Sequence, residues 1–493
     1  MVFPILGANT ESAVYEVSNS LRFNDDDDPK LQRTTGSNSN RQKFTFSAWV
    51  KKAQDVNEDQ TIFSANDGGH QPHIKFDNTH ERLNVRLSDS SSYNVQTAMS
   101  FRDVSAWYHI VVAVDTTQST ASNRVKIYVN GTQQTDLVTE NYPAQNFNTP
   151  FNSNTELTLG RDVSTNNKPF DGYMAEVFWI DGTQYAASNF GKTNSNGVWI
   201  PIDAKPNLSF GTHGFYFEFK ETGTGTNSSG MGADTSGQDN HFAVTNLTSI
   251  DVTTDTPTNN FATMNPLDNY YSEFTFSEGN CKFVTDGSAV AYNTATIGDL
   301  KRGKWYLEFK YTDPAHTDSG STMYGEIAVI GQKLADSNSG LFPSNQQHNF
   351  AYGASNGRIK SNNQAGTVHG STIDSDGDII GFLIDLDNNR VTTHKNGSYA
   401  DGSGNHDESS PTHYVSITDP ASTPLGGYMI GSGESVSSSE SGNQNTGTYE
   451  INFGNPSFSI SSGNSDANGY GNFEYAVPSG YYALCTKNLA EYG

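Results

Sequence analysis

The chain has 493 residues, a formal net charge of −25 and a sequence pI near 4.7. Because so acidic a surface repels phosphate groups, the charge argues against broad contact with nucleic acid. Aromatic residues make up 12% of the chain, which excludes a chain that is disordered throughout. This aromatic content, together with 46 Gly, indicates short strands joined by polar turns, and the length suits two or three domains.

The first 18 residues are apolar and then polar, and are too short to fold alone. We predict that residues 1–18 form an N-terminal attachment segment. The opening Met-Val-Phe-Pro-Ile-Leu-Gly lacks the basic region and the apolar length of a secretory signal peptide. No segment approaches the roughly 20 apolar residues that a bilayer-spanning helix needs, so we expect no membrane insertion.

Alternating apolar residues begin near Ser20 and predict strands with one buried face. Leu21 alternates with Phe23, and Phe44 alternates with Phe46 and Ala48. The strand-like motifs that follow in chain order are "FTFSAWVK" (44–51), "WYHIVVAVD" (107–115), "VKIYVNG" (125–131), "ELTLGRD" (156–162) and "FDGYMAEVFWIDG" (170–182). Asn130-Gly131 and Asp181-Gly182 are dipeptides that tolerate positive φ, so they predict tight turns.

The order and spacing of these motifs resemble those of laminin-G-like domains of the concanavalin-A-like class. The resemblance implies a jelly roll of two antiparallel sheets with a rim of loops. "GFYFEFK" and "HFAVTNL" are two further strand-like pieces that we expect to complete this domain, which we place at residues 19–250. The segment around Pro257 and Pro266 has no apolar periodicity and predicts a linker over residues 251–268.

The stretch at residues 378–397, "DIIGFLIDLDNNRVTTHKNG", predicts a β-hairpin with a Leu-Asp-Asn-Asn turn. Together with "GKWYLEFKYT", "GEIAVIG", "FAYGASNGRIKSNN" and "YEINFGNPSF", it resembles the strand order of SPRY-like β-sandwiches. We place this domain at residues 269–493. The predicted fold class is therefore all-β, with two tandem antiparallel β-sandwiches.

Two cysteines, Cys281 and Cys485, lie near the two ends of the second predicted domain. They are compatible either with one disulfide or with two small buried thiols. The sequence leaves both alternatives open.

Catalytic motifs point away from an enzyme. Glycanases of the concanavalin-A-like fold carry paired carboxylates as Glu-x-Asp-x-x-Glu on one strand, and this pattern does not occur here. Glu176, Glu218 and Glu308 each stand alone in a hydrophobic alternation, and we expect such residues to face solvent. A glycan depolymerase is the least favoured of the functions considered.

Two acidic runs are candidate metal ligands, and calcium is the one cofactor considered. Asp374, Asp376 and Asp378 alternate as in a calcium loop, but they lack the later Glu of an EF-hand and also suit a turn before a strand. The run of Asp25, Asp26, Asp27 and Asp28 suits either a cation or a solvated loop tip. The laminin-G-like resemblance implies a calcium ion at the sandwich rim, where Asp67, Asp162 and Asp171 are further candidates.

Carbohydrate binding requires an aromatic face for the sugar ring and planar polar groups for its hydroxyls. Residues of these types in predicted loops or at strand ends compete with ordinary turn packing as an explanation. The candidates are Asn66, His70, Tyr93, Tyr142, Tyr352, Asn356, Tyr399 and His406.

Three segments, "NSLRFNDDDDPKLQRT", "DTPTNNFATMNP" and "GYYALCTKNL", resemble structural proteins of marine tailed bacteriophages. The resemblance implies a virion appendage protein, such as a tail fibre, that binds glycans or proteins of the host surface. Its partners would be other virion proteins, and its copies would form a homo-oligomer, as a trimer. The alternative is an architectural protein that decorates the capsid or tail.

Overall fold

The structure is a computed structural model that describes residues 15–54, 58–66, 72–88, 93–163, 168–268, 270–271, 274–284, 291–312, 325–333, 343–354, 356–362, 364, 366–373, 375–434 and 448–493. Two compact units lie within Asn9–Asn260 and Phe261–Gly493, and they are called the first and second unit below. Among the described residues, no helix combines the length and the apolar character needed to cross a membrane.

The first unit is built from short strands. In chain order they are β1 (Ser20–Phe23), β2 (Lys30–Thr34), β3 (Lys43–Lys52), β4 (Gln60–Asn66), β5 (His73–Phe76), β6 (Arg82–Arg86), β7 (Asn94–Ser100), β8 (Tyr108–Asp115), β9 (Val125–Val129), β10 (Thr132–Gln133), β11 (Leu137–Asn141), β12 (Glu156–Leu159), β13 (Gly172–Asp181), β14 (Gly191–Thr193), β15 (Trp199–Pro201), β16 (Phe215–Phe217), β17 (Ala243–Thr245) and β18 (Val252–Thr253). Short 3-10 turns cover Asp25–Asp27, Ala121–Asn123, Ala187–Asn189, Lys205–Asn207 and Ser249–Asp251.

Two antiparallel sheets enclose the core of the first unit. One, named the covered sheet here, has the order β10-β9-β8-β3-β13-β1-β18, and β16 also pairs with β13. The other, named the open sheet, has the order β11-β7-β6-β5-β4-β12-β2-β17. The predicted inward residues Leu21, Phe23, Phe44, Phe46 and Ala48 are all buried in the shared core. The two late pieces do complete this sandwich, because β16 pairs with β13 and β17 with β2.

The covered sheet is buried on both of its faces, which the alternation pattern did not predict. Every residue of β8 and of β13 is buried. Val111, Phe178 and Ile180 face a second apolar cluster that Phe190 and Phe210 complete. Because both faces are covered, these strands are continuously hydrophobic rather than alternating.

Asn130 and Gly131 adopt the predicted tight turn between β9 and β10. Their φ angles are +47° and +80°, the left-handed values that a two-residue hairpin of this type needs. A Cβ atom at Gly131 would lie 2.4 Å from the indole ring of Trp199. Glycine is therefore required here both for its backbone angle and for its lack of a side chain.

The second unit is a second sandwich. Its strands are β19 (Tyr270–Tyr271), β20 (Thr275–Ser277), β21 (Lys282–Val284), β22 (Ala291–Thr294), β23 (Lys304–Thr312), β24 (Gly325–Ile330), β25 (Asn349–Gly353), β26 (Arg358–Lys360), β27 (Thr367–Val368), β28 (Ile379–Asp385), β29 (Arg390–Lys395), β30 (Ser398–Ala400), β31 (His406–Glu408), β32 (Val415–Ser416), β33 (Met429–Glu434), β34 (Thr448–Asn452) and β35 (Tyr482–Ala483). Short 3-10 turns cover Pro266–Asp268, Glu278–Asn280, Pro343–Asn345 and Pro420–Ser422, and α1 (Thr486–Tyr492) follows β35.

The sheets of the second unit have the orders β19-β22-β33-β24-β25-β26-β27 and β20-β21-β34-β23-β28-β29-β30-β31. In the second of these sheets, β32 pairs with β29, and β35 pairs in parallel with β23. The predicted hairpin at residues 378–397 is confirmed as β28 and β29, which pair from Ile380–Lys395 to Asp385–Arg390. Side chains from both sheets form one apolar core that includes Trp305, Phe382 and Ile451. Cys281 and Cys485 are buried and do not form a disulfide.

The predicted linker at residues 251–268 is instead built into the two units. Within the first unit, Val252 and Thr253 pair with β1, and the Asp255 carboxylate lies 2.8 Å from the Nζ atom of Lys51. Met264 belongs to the core of the second unit. The local pattern hid these roles because the partners are distant in sequence, Lys51 and Asp255 being 204 positions apart.

Of the predicted attachment segment, residues 1–14 lie outside the described residues. The remainder packs on the first unit, where Val17 is buried with Trp49 and Ala175 on the outer side of the covered sheet. The Tyr15 hydroxyl donates a hydrogen bond to Glu176 at 2.8 Å.

Candidate functional site

The outer face of the open sheet is polar over β5 and β6 because apolar and polar residues alternate in these two strands. In β5 and β6, Ile74, Leu83 and Val85 enter the core. The residues between them therefore lie on the opposite face. Strand register places Lys75 beside Asn84, Asn84 beside Gln96, and Gln96 beside Thr139. Four neighbouring strands thus contribute one polar row across the sheet.

This row lies in an open depression of about 570 Å³. The turn between β5 and β6 forms one wall, and β11 contributes the exposed Val138. The lining residues are Asp59, Lys75, Asp77, Asn78, Thr79, His80, Arg82, Asn84, Gln96, Val138 and Thr139.

Asp77 organises the wall of the depression. Its Oδ1 atom accepts hydrogen bonds from the backbone N–H groups of Thr79 and His80, at 2.8 and 2.9 Å. Its Oδ2 atom accepts from the backbone N–H of Arg82 at 2.9 Å and from Nε2 of Gln96 at 2.7 Å. Four donors therefore hold this carboxylate, which fixes both the turn and the Gln96 side chain.

Asp59 forms ion pairs with two lysines at the edge of the depression. Its Oδ2 atom lies 2.5 Å from Nζ of Lys75 and 2.8 Å from Nζ of Lys168, and its Oδ1 atom accepts from the backbone N–H of Asn78. Burial acts to raise the pKa of Asp59, but the hydrogen bonds from Lys168 and Lys75 outweigh burial and leave this pKa lowered. Asp59 is therefore ionised at neutral pH.

Several polar groups of the depression are left without a partner among the described residues. The guanidinium of the half-buried Arg82 makes no hydrogen bond or ion pair there, and its Nε atom is buried without a partner. Asn84 uses Oδ1 to meet Nε2 of His73 at 3.2 Å, which leaves its Nδ2 amide unpaired within the described ranges. Gln96 donates a hydrogen bond from Nε2 to Asp77, and its Oε1 atom has no partner in the same ranges. Donors and an acceptor are thus available together in one depression.

His73 lies under Asn84 and is neutral at physiological pH. Burial lowers its pKa to about 3, and the nearby cations Lys75 and Arg86 add to the effect. A neutral imidazole adds no charge to the site, so the orientation of Asn84 does not depend on pH near neutrality.

The predicted ligand residues do not form this depression. Tyr352 is buried in β25 with its hydroxyl bonded to the Ser371 carbonyl, and Tyr399 is buried in β30 beside His394. Three others lie apart in the first unit: Asn66 ends β4 opposite Glu156, Tyr93 packs edge-on against Phe147 with 4.7 Å between ring centroids, and Tyr142 packs against the core. Two lie in the second unit: Asn356 accepts a hydrogen bond from the backbone N–H of Arg358, and His406 forms hydrogen bonds with Thr393 and Ser371. His70 lies outside the described residues. The aromatic residues serve packing because rings bury more favourably than they stay exposed.

The first acidic run forms a turn in which two of the four carboxylates, those of Asp27 and Asp28, have protein partners. Asp25–Asp27 is a 3-10 turn and Asp28 caps it with a φ of +54°. Asp28 lies 3.2 Å from Arg161, and Asp27 accepts from Asn24 at 2.8 Å. Burial raises the pKa of Asp25 to about 6, and its neighbour Asp26 adds to this.

The second acidic run is a turn before β28. Asp378 pairs with Lys395 at 2.8 Å and accepts from Asn396 at 2.7 Å, whereas Asp376 is exposed. Asp374 and Asp67 lie outside the described residues, while Asp162 and Asp171 are buried. Within the described ranges, no three His, Cys, Asp or Glu side chains are grouped so that they could hold a metal ion.

Two of the strand glutamates are buried rather than exposed, contrary to our expectation. Glu176 accepts hydrogen bonds from the hydroxyls of Tyr15 and Tyr216. Glu308 is buried in the second unit, where the backbone N–H groups of Glu474 and Tyr475 donate to it. Each is enclosed by its own unit, so neither faces an open cleft.

The residues that line the depression were not predicted, because a glycan site was expected among aromatic and planar polar side chains of loops and strand ends. The available signal was the alternation in "HIKF" (73–76) and "RLNVR" (82–86), which places Lys75, Arg82 and Asn84 on the face opposite the core. The cross-strand register that unites them depends on pairing over distance, which a local pattern does not give.

The fold defines the class of the protein: an all-β chain in which each of two compact units is built from two large, mainly antiparallel sheets. The family model described as the concanavalin A-like lectin/glucanases superfamily matches residues 25–188. No curated protein sequence matches the chain.

Solved structures show similarity to parts of the chain. The SPRY domain of human HERC1 is 15% identical over 38% of this chain and 96% of its own, with a TM-score of 0.27. The heptameric SAP-like pentraxin of Limulus polyphemus is 12% identical over 38% of this chain and 94% of its own, with a TM-score of 0.28. Domain 4 of AbnA, a GH43 extracellular arabinanase from Geobacillus stearothermophilus solved with arabinotriose, is 24% identical over 31% of this chain and 67% of its own, with a TM-score of 0.25. At these TM-scores the similarities carry no argument about function.

Proposed function

We propose that the protein is a non-enzymatic binding protein that recognises glycans through the depression on the open sheet. The observation that carries this proposal is the group of polar atoms in the depression that have no partner among the described residues: the Nδ2 amide of Asn84, the Oε1 atom of Gln96 and the guanidinium of Arg82. Sugar hydroxyls need planar donors and acceptors held in fixed positions, and strand register fixes these groups across four strands.

The size and chemistry of the depression favour a glycan over a protein partner. Its volume of about 570 Å³ lies within the usual range of small-ligand sites. Protein interfaces centre on buried aromatic or large apolar side chains, whereas this lining has Val138 as its exposed apolar residue. Val138 provides a surface for the C–H face of a sugar ring, and recognition would rest mainly on hydrogen bonds.

The carboxylates of the depression support binding without hydrolysis. A glycosidase needs one carboxyl group with a raised pKa to act as the general acid. Asp59 has a lowered pKa and is neutralised by two lysines, while all four hydrogen bonds to Asp77 serve the local turn and Gln96. Neither group is arranged as a proton donor.

A glycan array probed with the full chain tests the proposal. We expect binding to at least one glycan, and we expect the double variant Asn84→Ala/Gln96→Ala to lose it. The control variant Lys192→Gln changes an exposed residue of β14, outside the depression, and should bind as the wild type does. Unchanged glycan binding by the double variant would remove the depression from the account.

The biological setting we propose is a tailed-bacteriophage virion, in which the protein is an appendage subunit that contacts the host surface. The support is the sequence resemblance of the opening, the central joint and the C-terminal segment. Copies arranged as a trimer would multiply weak glycan contacts through avidity.

Electron microscopy of antibody-labelled particles tests this setting. Label at the distal end of a tail appendage is the expected result. Label spread flat over the capsid lattice would instead support the architectural alternative, in which the sandwiches contact neighbouring virion subunits.

A further inference from the structure

The depression on the open sheet holds a cation that no carboxylate of the described residues pairs with, although the chain as a whole has a formal net charge of −25. Lys75 and Lys168 share one carboxylate, that of Asp59. Arg82 lines the same depression, and its guanidinium has no carboxylate partner among the described residues. Among the lining residues, Lys75 and Arg82 stand against the carboxylates of Asp59 and Asp77, and Lys168 outside the lining is a third cation that shares Asp59.

The carboxylate of Asp77, which accepts a hydrogen bond from the backbone of Arg82, already accepts three others. Asp77 receives the backbone N–H of Arg82, not its side chain, and its remaining lone pairs are used by Thr79, His80 and Gln96. An unpaired guanidinium beside a saturated carboxylate has lost hydration on folding without gaining an ion pair in return. A ligand that brings its own negative charge would supply the missing partner.

We infer that the depression selects acidic glycans, with the charged oxygens of a sugar carboxylate or sulfate paired to the guanidinium of Arg82. This inference rests on the proposed function and specifies its ligand class. The planar guanidinium presents parallel donors that match two oxygens of one acidic group. The Nδ2 amide of Asn84 and the Oε1 atom of Gln96 would take neighbouring hydroxyls, and Lys75, held by Asp59, would add a second positive charge.

The test is an array in which each uronic acid or sulfated oligosaccharide is printed beside its carboxyl-reduced or desulfated counterpart. It is probed with the full-length wild type, Arg82→Gln, Arg82→Lys and the control Lys192→Gln. Arg82→Gln removes the charge, Arg82→Lys keeps the charge without the planar fork, and Lys192→Gln makes the same charge change outside the depression.

We expect the wild type to bind acidic members of the pairs in preference to their neutral counterparts. Arg82→Gln should weaken that binding by about 10- to 100-fold, which is the usual effect of losing a charge-assisted hydrogen bond. The affinity of Arg82→Lys for acidic glycans should lie between those of the wild type and Arg82→Gln, and the affinity of Lys192→Gln should equal that of the wild type. Binding to acidic members should also weaken as salt is raised from 0.05 to about 0.5 M, because ions screen the pairing.

The glycan pairs distinguish failure of the acidic preference from failure of the proposed function, and they distinguish a carboxylate ligand from a sulfate ligand. Binding to neutral glycans that Asn84→Ala/Gln96→Ala abolishes and Arg82→Gln leaves unchanged would overturn the acidic preference while keeping the proposed function. Acidic binding that survives Arg82→Gln would also overturn the inference. Binding to no glycan of the array would overturn both, and the preferred acidic members would show whether carboxylate or sulfate is recognised. Equal thermal unfolding of Arg82→Gln and wild type would show that the variant is folded.

Discussion

The two sheets of the first unit share one core and differ in their outer faces. The covered sheet is overlaid by Val17, which packs on Trp49, and by Phe190 and Phe210, which pack on Phe178, and two of its lysines, Lys51 and Lys52, are buried. The open sheet presents Lys75, Asn84, Gln96 and neighbouring polar groups in a depression. The difference teaches that, among the described residues, connecting segments of the chain cover the outer face of one sheet and leave a depression on the other uncovered.

The largest contrast is expected from apolar truncation on the two outer faces. Phe178→Ala should lower the free energy of unfolding by about 3–5 kcal/mol, because the Phe178 ring is buried and stacks on Tyr216 with 4.1 Å between centroids. Val138→Ala removes a side chain of an exposed residue on β11 and should change it by less than about 0.5 kcal/mol. Chemical denaturation followed by hydrogen exchange in the first unit measures both. Similar effects of the two variants would contradict the comparison.

Removing the carboxylate of an ion pair should likewise lower the free energy of unfolding more at the covered sheet than at the edge of the depression. Asp255→Ala leaves the buried Lys51 ammonium without its carboxylate and should cost about 3–5 kcal/mol. Asp59→Ala removes a pair at the edge of the depression, where water can replace the carboxylate, and should cost about 1 kcal/mol. Urea unfolding of each variant gives the two values. An equal loss would show that the edge of the depression is as dry as the covered face.

The covered face should also make stability depend on pH through Glu176. Burial raises the pKa of Glu176 from its ordinary 4.5 to about 7, against the hydrogen bonds from Tyr216 and Tyr15, which lower it. Because the folded pKa is the higher one, the stabilisation is complete below about pH 4.5 and is lost as pH rises through 7. We expect Glu176→Gln to gain on the order of 3 kcal/mol relative to the wild type between pH 4.5 and pH 8. Melting curves at several pH values measure this, and parallel curves for the two proteins would contradict it.

The smallest effect on stability is expected within the polar row itself. Thr139→Ala should change the free energy of unfolding by less than about 0.5 kcal/mol, because Thr139 is half-buried on the edge strand β11. The same variant should weaken glycan binding on the array by removing one hydroxyl from the row. A clear loss of stability with unchanged binding would show that Thr139 serves the fold instead.

Local sequence patterns predicted those parts of the fold whose causes are local. The β28–β29 hairpin and the Asn130-Gly131 turn were predictable because apolar runs and positive-φ residues determine them over a few positions. The final α1 helix was not predicted, because it has only seven residues, Thr486–Tyr492, and begins shortly after the strand β35.

Features that depend on distant partners were not predictable in this way. The segment around Asp255 resembles a linker until its ion pair with Lys51 is seen. The polar row needs the register of β5, β6, β7 and β11, which only the folded sheet provides. Tyr352 and Tyr399 were expected in loops or at strand ends and are buried, because each strand that carries them is paired on both sides.

Hydrogen–deuterium exchange of the full chain, with and without the glycan that binds best on the array, tests the central claim most directly. If the depression is the binding site, exchange should slow in residues 73–86, 94–100 and 137–141 and stay unchanged in the covered sheet and the second unit. Slowing confined to the second unit, with no change in those three segments, would contradict a binding site on the open sheet.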